Sequence, residues 1–175
     1  EVTDKVELVP SGANTRADNV AKISSHGFEE ETFYRGDRST AYLNLSYQSS
    51  TERRVDRLRG GLEGDTNLYP TTTVKFGGSR QLQRWPWEVS LAGVYIGERI
   101  ASEQNIKNHD PINLEEYTLD GYLLLDLTLH SRILSAGRGA TLQLKIANLL
   151  DQQYAYPGFR DFDIPGLGRR FAASL

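Results

Sequence analysis

The sequence predicts an all-β protein, an antiparallel sheet whose strands cross an outer membrane as part of a transmembrane β-barrel. Three observations carry that expectation. Apolar residues recur with a period of two, no apolar run is long enough for a membrane helix, and the connections alternate between short and long.

Composition sets the outer bounds. The 175 residues are 38% hydrophobic with a mean hydropathy of -0.49. No stretch approaches the roughly 18 consecutive apolar residues of a spanning helix. The longest apolar cluster, Leu123 to Leu129, is already interrupted by Asp126 and Thr128. A barrel tolerates low hydropathy, because only alternate residues of each strand face lipid. Cysteine is absent, which suits export through an oxidising compartment without being specific to it. Methionine is absent too, and no signal peptide stands at Glu1, so the chain reads as a piece of a longer protein or a mature product. The net charge of -3 gives no broad electrostatic case for nucleic acid.

The strands follow in order. Ala41, Leu43, Leu45 and Tyr47 alternate with Tyr42, Asn44, Ser46 and Gln48. Val74 and Phe76 alternate with Thr73, Lys75 and Gly77. In 87–97, Val89 and Leu91 oppose Glu88 and Ser90, and the alternation then weakens. Over 122–131, Leu123, Leu125, Leu127 and Leu129 take one face, while Tyr122, Leu124, Asp126, Thr128 and His130 take the other. Leu142, Leu144 and Ile146 alternate with Thr141, Gln143, Lys145 and Ala147. A period of two places successive side chains on opposite faces, so each strand has an apolar and a polar side.

Connections sort by length. Segments 34–39, 81–86 and 133–139 are short and contain Gly or Pro, whereas 9–19, 51–70, 99–120 and 155–168 are long and polar. Outer-membrane barrels have short periplasmic turns and longer extracellular loops. The count comes to roughly eight strands, each about 9–15 residues with its flanks. Aromatic residues gather near segment ends: Phe33 and Tyr34, Tyr69, Trp85 and Trp87, Tyr117 and Tyr122, Tyr154 and Tyr156. Such rings collect at the headgroup level, although Tyr and Trp are also good strand residues anywhere. A soluble sandwich would alternate too, but its strands are typically about 5–6 residues and its loops do not sort by length.

The residue types on the polar face point to lining rather than catalysis. Asp126, Thr128, His130, Gln143 and Lys145 are expected to face the lumen. Asp126 and His130 stand about 13 Å apart along a strand, too far for one site. In the long connections, Arg53 and Arg57 belong to a basic loop suited to an anionic ligand or lipopolysaccharide phosphates, or else to a solvated loop with internal ion pairs. His109 beside Asp110 is a loop candidate for holding a metal chelate, against which stands the lack of a third ligand at metal spacing. Tyr156 and Arg160 are further loop candidates for ligand contact. Glu29 to Glu31 cannot form an adjacent acid–base couple, because neighbouring strand residues point to opposite faces. Gly60-Gly61 and Gly77-Gly78 lack the context of a phosphate loop, and Ser131 and Ser135 lack that of a hydrolase nucleophile. No catalytic residue, resident metal or cofactor is expected, and an enzyme is disfavoured.

Several segments resemble one known family. Ala147 to Tyr154 (ANLLDQQY) is similar to the "N-L-hydrophobic-D-x-x-Y" signature near the end of TonB-dependent outer-membrane receptors. Pro165 to Phe171 (PGLGRRF) resembles that family's approach to its last strand, and 117–126 (YTLDGYLLLD) resembles its "-LLDL-" strand. Val94 to Arg99 (VYIGER) is similar to its "Y-x-G-x-R" strand. Lys5 to Pro10 with Asn19 to Glu31 resembles an upstream hairpin. The segments occur in the family's order over nearly the whole chain.

The resemblance implies a barrel of about 22 strands enclosing an amino-terminal plug, of which residues 1–175 hold the last third or so and no plug. It implies import of a scarce large ligand, such as a ferric siderophore, cobalamin, haem or another metal chelate, driven by the TonB complex through a missing N-terminal region, with outer-membrane lipid around the wall. Two departures stand out. Glu30 occupies an apolar position, through a bulge or by lying at the membrane edge, and the chain stops at Leu175 without a terminal aromatic. The competing expectation is a complete eight-stranded barrel with a structural or adhesion role, which requires residues 1–3 to pair with 171–175. The first strand is expected to be too short and acidic for that closure.

Overall fold

A computed structural model of the chain describes residues 2–11, 14–54, 62–65, 69–101, 105–109, 117–135, 138–158 and 162–175, with side chains in 24–50, 69–101, 105–107, 117–131, 140–158 and 162–175. The strands are β1 (Val2–Ser11), β2 (Asn14–Arg35), β3 (Ser39–Arg54), β4 (Leu62–Asp65), β5 (Thr72–Gln81), β6 (Trp87–Ile96), β7 (Arg99–Ile100), β8 (Thr118–Leu119), β9 (Tyr122–Ser135), β10 (Arg138–Ala147), β11 (Ala155–Tyr156), β12 (Ile164–Pro165) and β13 (Arg170–Ser174). A 3-10 turn covers Ile106–His109.

Eight strands form one antiparallel path, β1-β2-β3-β5-β6-β9-β10-β13, with β4 pairing the outer part of β3. This is the all-β antiparallel architecture that the alternation predicts. Its 14-residue β9 reaches about 46 Å along the chain at ~3.3 Å per residue, and about 35 Å across a bilayer at a tilt of ~40°. That exceeds a hydrocarbon core of about 30 Å. No described helix is long and apolar enough to cross a membrane.

Register divides the sheet into two faces. Leu45, Val74, Tyr95 and Leu123 stand opposite one another in turn across four strands, as do Leu43, Phe76, Gly93 and Leu125. The row Ala41, Gly78, Leu91, Leu127, Ile146 and Phe171 continues to the last strand. This face is apolar and open, with Leu43 46% and Leu91 40% exposed. The alternation weakens in β6 because Gly93 interrupts the apolar face while Ala92, Val94 and Ile96 stand on the other. The ring of Phe76, directly opposite, lies across Gly93 where a Cβ would stand. Cross-strand aromatic cover of this kind restores the missing apolar surface.

The other face is polar. Thr40 and Ser79 share a hydrogen bond of 3.0 Å, and the Ser50 hydroxyl donates to Ser25 at 2.8 Å. Asn44 lies between Glu31 and Lys75, and its buried Oδ1 accepts no hydrogen bond.

The structure corrects several sequence expectations. Segment 9–19 is not a long loop: β1 and β2 run to Ser11 and from Asn14, paired throughout. Its Thr, Arg, Asp and Asn residues read as loop because a strand extended beyond an apolar layer needs no apolar face. For the same reason β1, at 10 residues, is not short. Within 51–70, β3 continues to Arg54 and pairs with β4, and the turn expected over 133–139 narrows as β9 reaches Ser135 and β10 starts at Arg138. Glu30 sits opposite Leu45 in an unbroken register from Ala21 to Arg35, so no bulge removes it from the apolar face. Among the described residues β1 does not pair with β13, so the closure demanded by a complete eight-stranded barrel is not formed.

Candidate ligand-facing site

Almost all deep burial lies at one end of the sheet. Ala101, Leu119 and Tyr122 are the buried hydrophobic residues among those described, and Arg99, Asn105 and Asn148 are buried beside them. This end carries the long connections 97–121 and 148–169. Two small ladders extend them outward, β7 with β8 and β11 with β12.

The local fold of 148–169 begins at a sharp turn. Asn148 and Asp151 both have φ of 53°, a left-handed conformation that Asn and Asp tolerate better than most residues. Asn148 Nδ2 donates to the carbonyls of Gln152 at 2.9 Å and Leu167 at 3.2 Å, while its Oδ1 accepts from Gln152 N at 2.9 Å. Asp151 Oδ1 accepts from Arg169 N at 2.9 Å. Asp126 Oδ1 accepts from Asn148 N at 3.0 Å, and its other oxygen pairs with Lys145 at 2.7 Å. Gly166 N donates to Tyr154 O at 2.7 Å, and the Tyr154 ring covers the place of a Gly166 Cβ. A side chain at 166 would have to displace that ring.

Above the turn stands an aromatic cluster. Tyr122 and Tyr154 have ring centroids 4.6 Å apart, and Tyr154 meets Tyr156 edge-on at 5.4 Å. The Tyr156 hydrogen bond, foremost, together with burial, pushes the Tyr154 phenol above its ordinary pKa. Arg99, only 5% exposed, places its guanidinium 5.4 Å from the Tyr122 ring centre and 5.9 Å from that of Tyr156. Its Nη2 donates to Ala155 O at 2.5 Å, and its Nε meets no acceptor. Among the described residues no carboxylate pairs with this cation, so ring faces and a carbonyl hold it.

A second tie joins the two loops. Asn105 Nδ2 and Tyr117 Oη donate to the two oxygens of Asp163, at 2.8 and 2.9 Å. Lys107 Nζ donates to Tyr117 Oη at 2.8 Å and lies 3.5 Å from Asp163. Between the loops is a cavity of about 810 Å³, lined by residues 117–122, 151–155, Pro165, Gly166 and Gly168. Its lining mixes the Tyr122 and Tyr154 side of the cluster with Gln152, Gln153, Asp120 and Asp151, and its volume is that of a site for a sizeable molecule.

The sequence candidates distribute unevenly. Asp126, Thr128 and His130 share the polar face with Lys145 and Gln143, which stand opposite Thr128 and His130 respectively. Asp126 is bonded into the turn rather than free, and it is not joined to His130. Tyr156 enters the Arg99 cluster. The backbone of Arg53 lies between Lys22 and Glu63. Its side chain, that of His109, and residues Arg57 and Arg160 lie outside the described residues. Among the described residues no three His, Cys, Asp or Glu side chains come together to hold a metal ion.

Sequence reasoning did not single out Arg99, Asn148 or Asp163, and it marked Tyr117 only as an aromatic residue near a segment end. Arg99 and Asn148 were visible within the VYIGER and NLLD segments, which mark strand ends without revealing what the residues hold. Asp163 gives no such signal, because Asn105 is 58 residues away.

No protein-family model matches the chain, and no curated protein matches it. Its fold does match solved structures. The FrpB iron transporter of Neisseria meningitidis (F3-3 variant) aligns with TM-score 0.70 at 18% identity, covering 98% of this chain and 26% of that one. The copper transporter OprC aligns with TM-score 0.63 at 19% identity, over 97% and 25%. The ferripyoverdine receptor of the outer membrane of Pseudomonas aeruginosa, bound to ferripyoverdine, aligns with TM-score 0.67 at 13% identity, over 97% and 22%. The chain thus resembles the barrel part of TonB-dependent receptors, and its fold is that of an outer-membrane β-barrel wall. It spans about a quarter of the length of these structures.

Proposed function

We propose that the chain is the carboxy-terminal part of the barrel of a TonB-dependent outer-membrane importer, of about 22 strands. Its ligand is a metal-bearing chelate such as a ferric siderophore, cobalamin or haem. A plug outside this chain fills the lumen, and the TonB complex supplies the energy through the region ahead of that plug. The metal is cargo here and not a resident cofactor.

The observation that carries this reading is the two-faced sheet of eight strands, superposable on walls of an iron transporter, a copper transporter and a ferripyoverdine receptor. An apolar outer face suits lipid, where every backbone group must be paired within the protein. The polar face suits a wet or plugged lumen, with Thr128, His130, Gln143 and Lys145 as lining and Asp126 anchoring the outer turn. The cavity beside Tyr122 and Tyr154 faces the extracellular side, where a ligand arrives. The comparison structures carry iron, copper and ferripyoverdine by their descriptions, which supports a metal-bearing cargo. A complete eight-stranded barrel is the weaker reading, since β1 and β13 do not meet.

The intact mass of the native protein from outer-membrane extract tests this. If 98% of 175 residues is 26% of a comparable receptor, that receptor has about 660 residues, or about 74 kDa at this chain's mean residue mass. A mass of about 70–80 kDa is expected on the same arithmetic. A mass near 19.6 kDa would overturn the reading.

A further inference from the structure

The short-turn end of the sheet is rich in arginine. Segments 35–38, 80–88 and 132–138 contain Arg35, Arg38, Arg80, Arg84, Arg132 and Arg138 against Asp37 and Glu88. That is a surplus of four positive charges in a chain of net charge -3, so the remaining residues carry -7. None of these six cations is a lysine.

Register brings the three segments to one rim. Gln81 N donates to Arg38 O at 2.9 Å, Arg80 stands opposite Ser39 and Val89, and Trp87 stands opposite Ser131. Arg35, Arg38, Arg80 and Arg84 are exposed, and among the described residues none of them forms an ion pair. Arg35 stacks 5.4 Å from the Phe33 ring centre. Tyr34 and Trp85 are exposed at 60% and 66% beside them.

Unpaired guanidinium groups at one rim repel one another until anions meet them. A guanidinium matches phosphate oxygens in a bidentate fork, which an ammonium cannot. Exposed Tyr and Trp at the end of an apolar face belong at the level of lipid headgroups. Arg80 decides what kind of anion arrives. It shares the apolar face with Val89 and Leu129, so it is reached from the lipid side rather than from water beyond the turns. We infer that this rim binds headgroups of anionic phospholipids, with Arg38, Arg80 and Arg84 holding the phosphate. The inference rests on the reading of the sheet as a membrane-spanning wall.

Native mass spectrometry of the full-length protein in neutral detergent tests it, with phosphatidylglycerol titrated against phosphatidylethanolamine of the same chains. Phosphatidylglycerol adducts are expected in excess. The combined variant Arg38→Gln, Arg80→Gln, Arg84→Gln should weaken them by about fivefold for each arginine removed. Arg169→Gln, exposed at the opposite rim, should leave them unchanged. Equal retention of the two lipids, or an unaltered combined variant, would overturn the inference. So would an acidic protein that co-purifies with the native chain, is lost from the combined variant, and accompanies no lipid preference. Release from the membrane without detergent would sink the spanning reading itself, whereas detergent-dependent extraction without lipid preference overturns only the headgroup site.

Discussion

The two rims of this sheet solve the problem of charge in opposite ways. At the long-loop rim, three charged groups are occupied by partners within the chain: Asp126 bonds Lys145 and Asn148 N, Asp163 takes three donors, and the buried Arg99 lies between two tyrosine rings. At the short-turn rim, arginines are outside and, among the described residues, unpaired. A buried polar group left without a partner costs about 1–3 kcal/mol, and a buried charge more. Exposed charges cost little whether paired or not. The long-loop rim is therefore built to hold one shape, and the short-turn rim is built to meet something else.

The largest effect that would break this contrast is expected at Asn148. Replacing it with Ala removes three side-chain hydrogen bonds and leaves a left-handed backbone without a suitable residue. Folding should weaken by about 2–4 kcal/mol. Urea unfolding in micelles reads this, with Arg84→Gln at the other rim staying within about 0.5 kcal/mol. Comparable losses for the two variants would erase the distinction.

Arg99→Leu comes next. It keeps apolar bulk but loses both ring contacts and the Ala155 carbonyl, for about 1–2 kcal/mol. The same unfolding measurement checks it, and an unchanged or more stable protein would mean that the guanidinium contributes nothing net.

A change of opposite sign, and smaller, is expected at Glu30. On the apolar face opposite Leu45, its carboxylate is a burden in lipid, so Glu30→Leu should stabilise by about 1 kcal/mol. Destabilisation would show that the hydrogen bond from Thr32 Oγ1 at 3.4 Å, or a partner outside the chain, outweighs that burden.

The smallest effect concerns pH. The hydrogen bond to Tyr117 outweighs the opposing effect of burial and, with Asp163 beside it, holds the Lys107 ammonium above its ordinary value of 10.5. A raised lysine pKa gives stability that is complete below 10.5 and fades as pH rises through the folded-state value. Spin labels at Ile106 and Ile164, both more than half exposed, should move apart in that alkaline range. A distance that stays constant would show that the tie does not depend on the ammonium.

Much of the wall was legible in the sequence, because a sheet between two solvents writes a period of two. Leu123 to Leu129 and Leu142 to Ile146 showed their faces directly. Strand length was less legible, since β1 and the outer parts of β2 and β3 leave the apolar layer and lose the pattern. Gly93 read as a fading strand because its missing side chain is replaced by Phe76 from the neighbouring strand. The long-loop end was the least visible. Its motif letters Asn148, Asp151 and Tyr154 could be noticed, but their roles depend on Leu167, Arg169 and Gly166 brought back by the loop. Arg99 and Asp163 depend on contacts across 56 and 58 residues. No local period records a contact of that kind.

The division into a lipid face and a lumen face is the claim on which the rest depends. The chain has no cysteine of its own, so single cysteines can be placed one by one from 123 to 130 and spin-labelled in the full-length protein in bilayers. Oxygen accessibility should peak at 123, 125, 127 and 129, and a water-soluble relaxant should reach none of these four. Accessibility without a two-residue period, or water reaching both sets equally, would contradict the account.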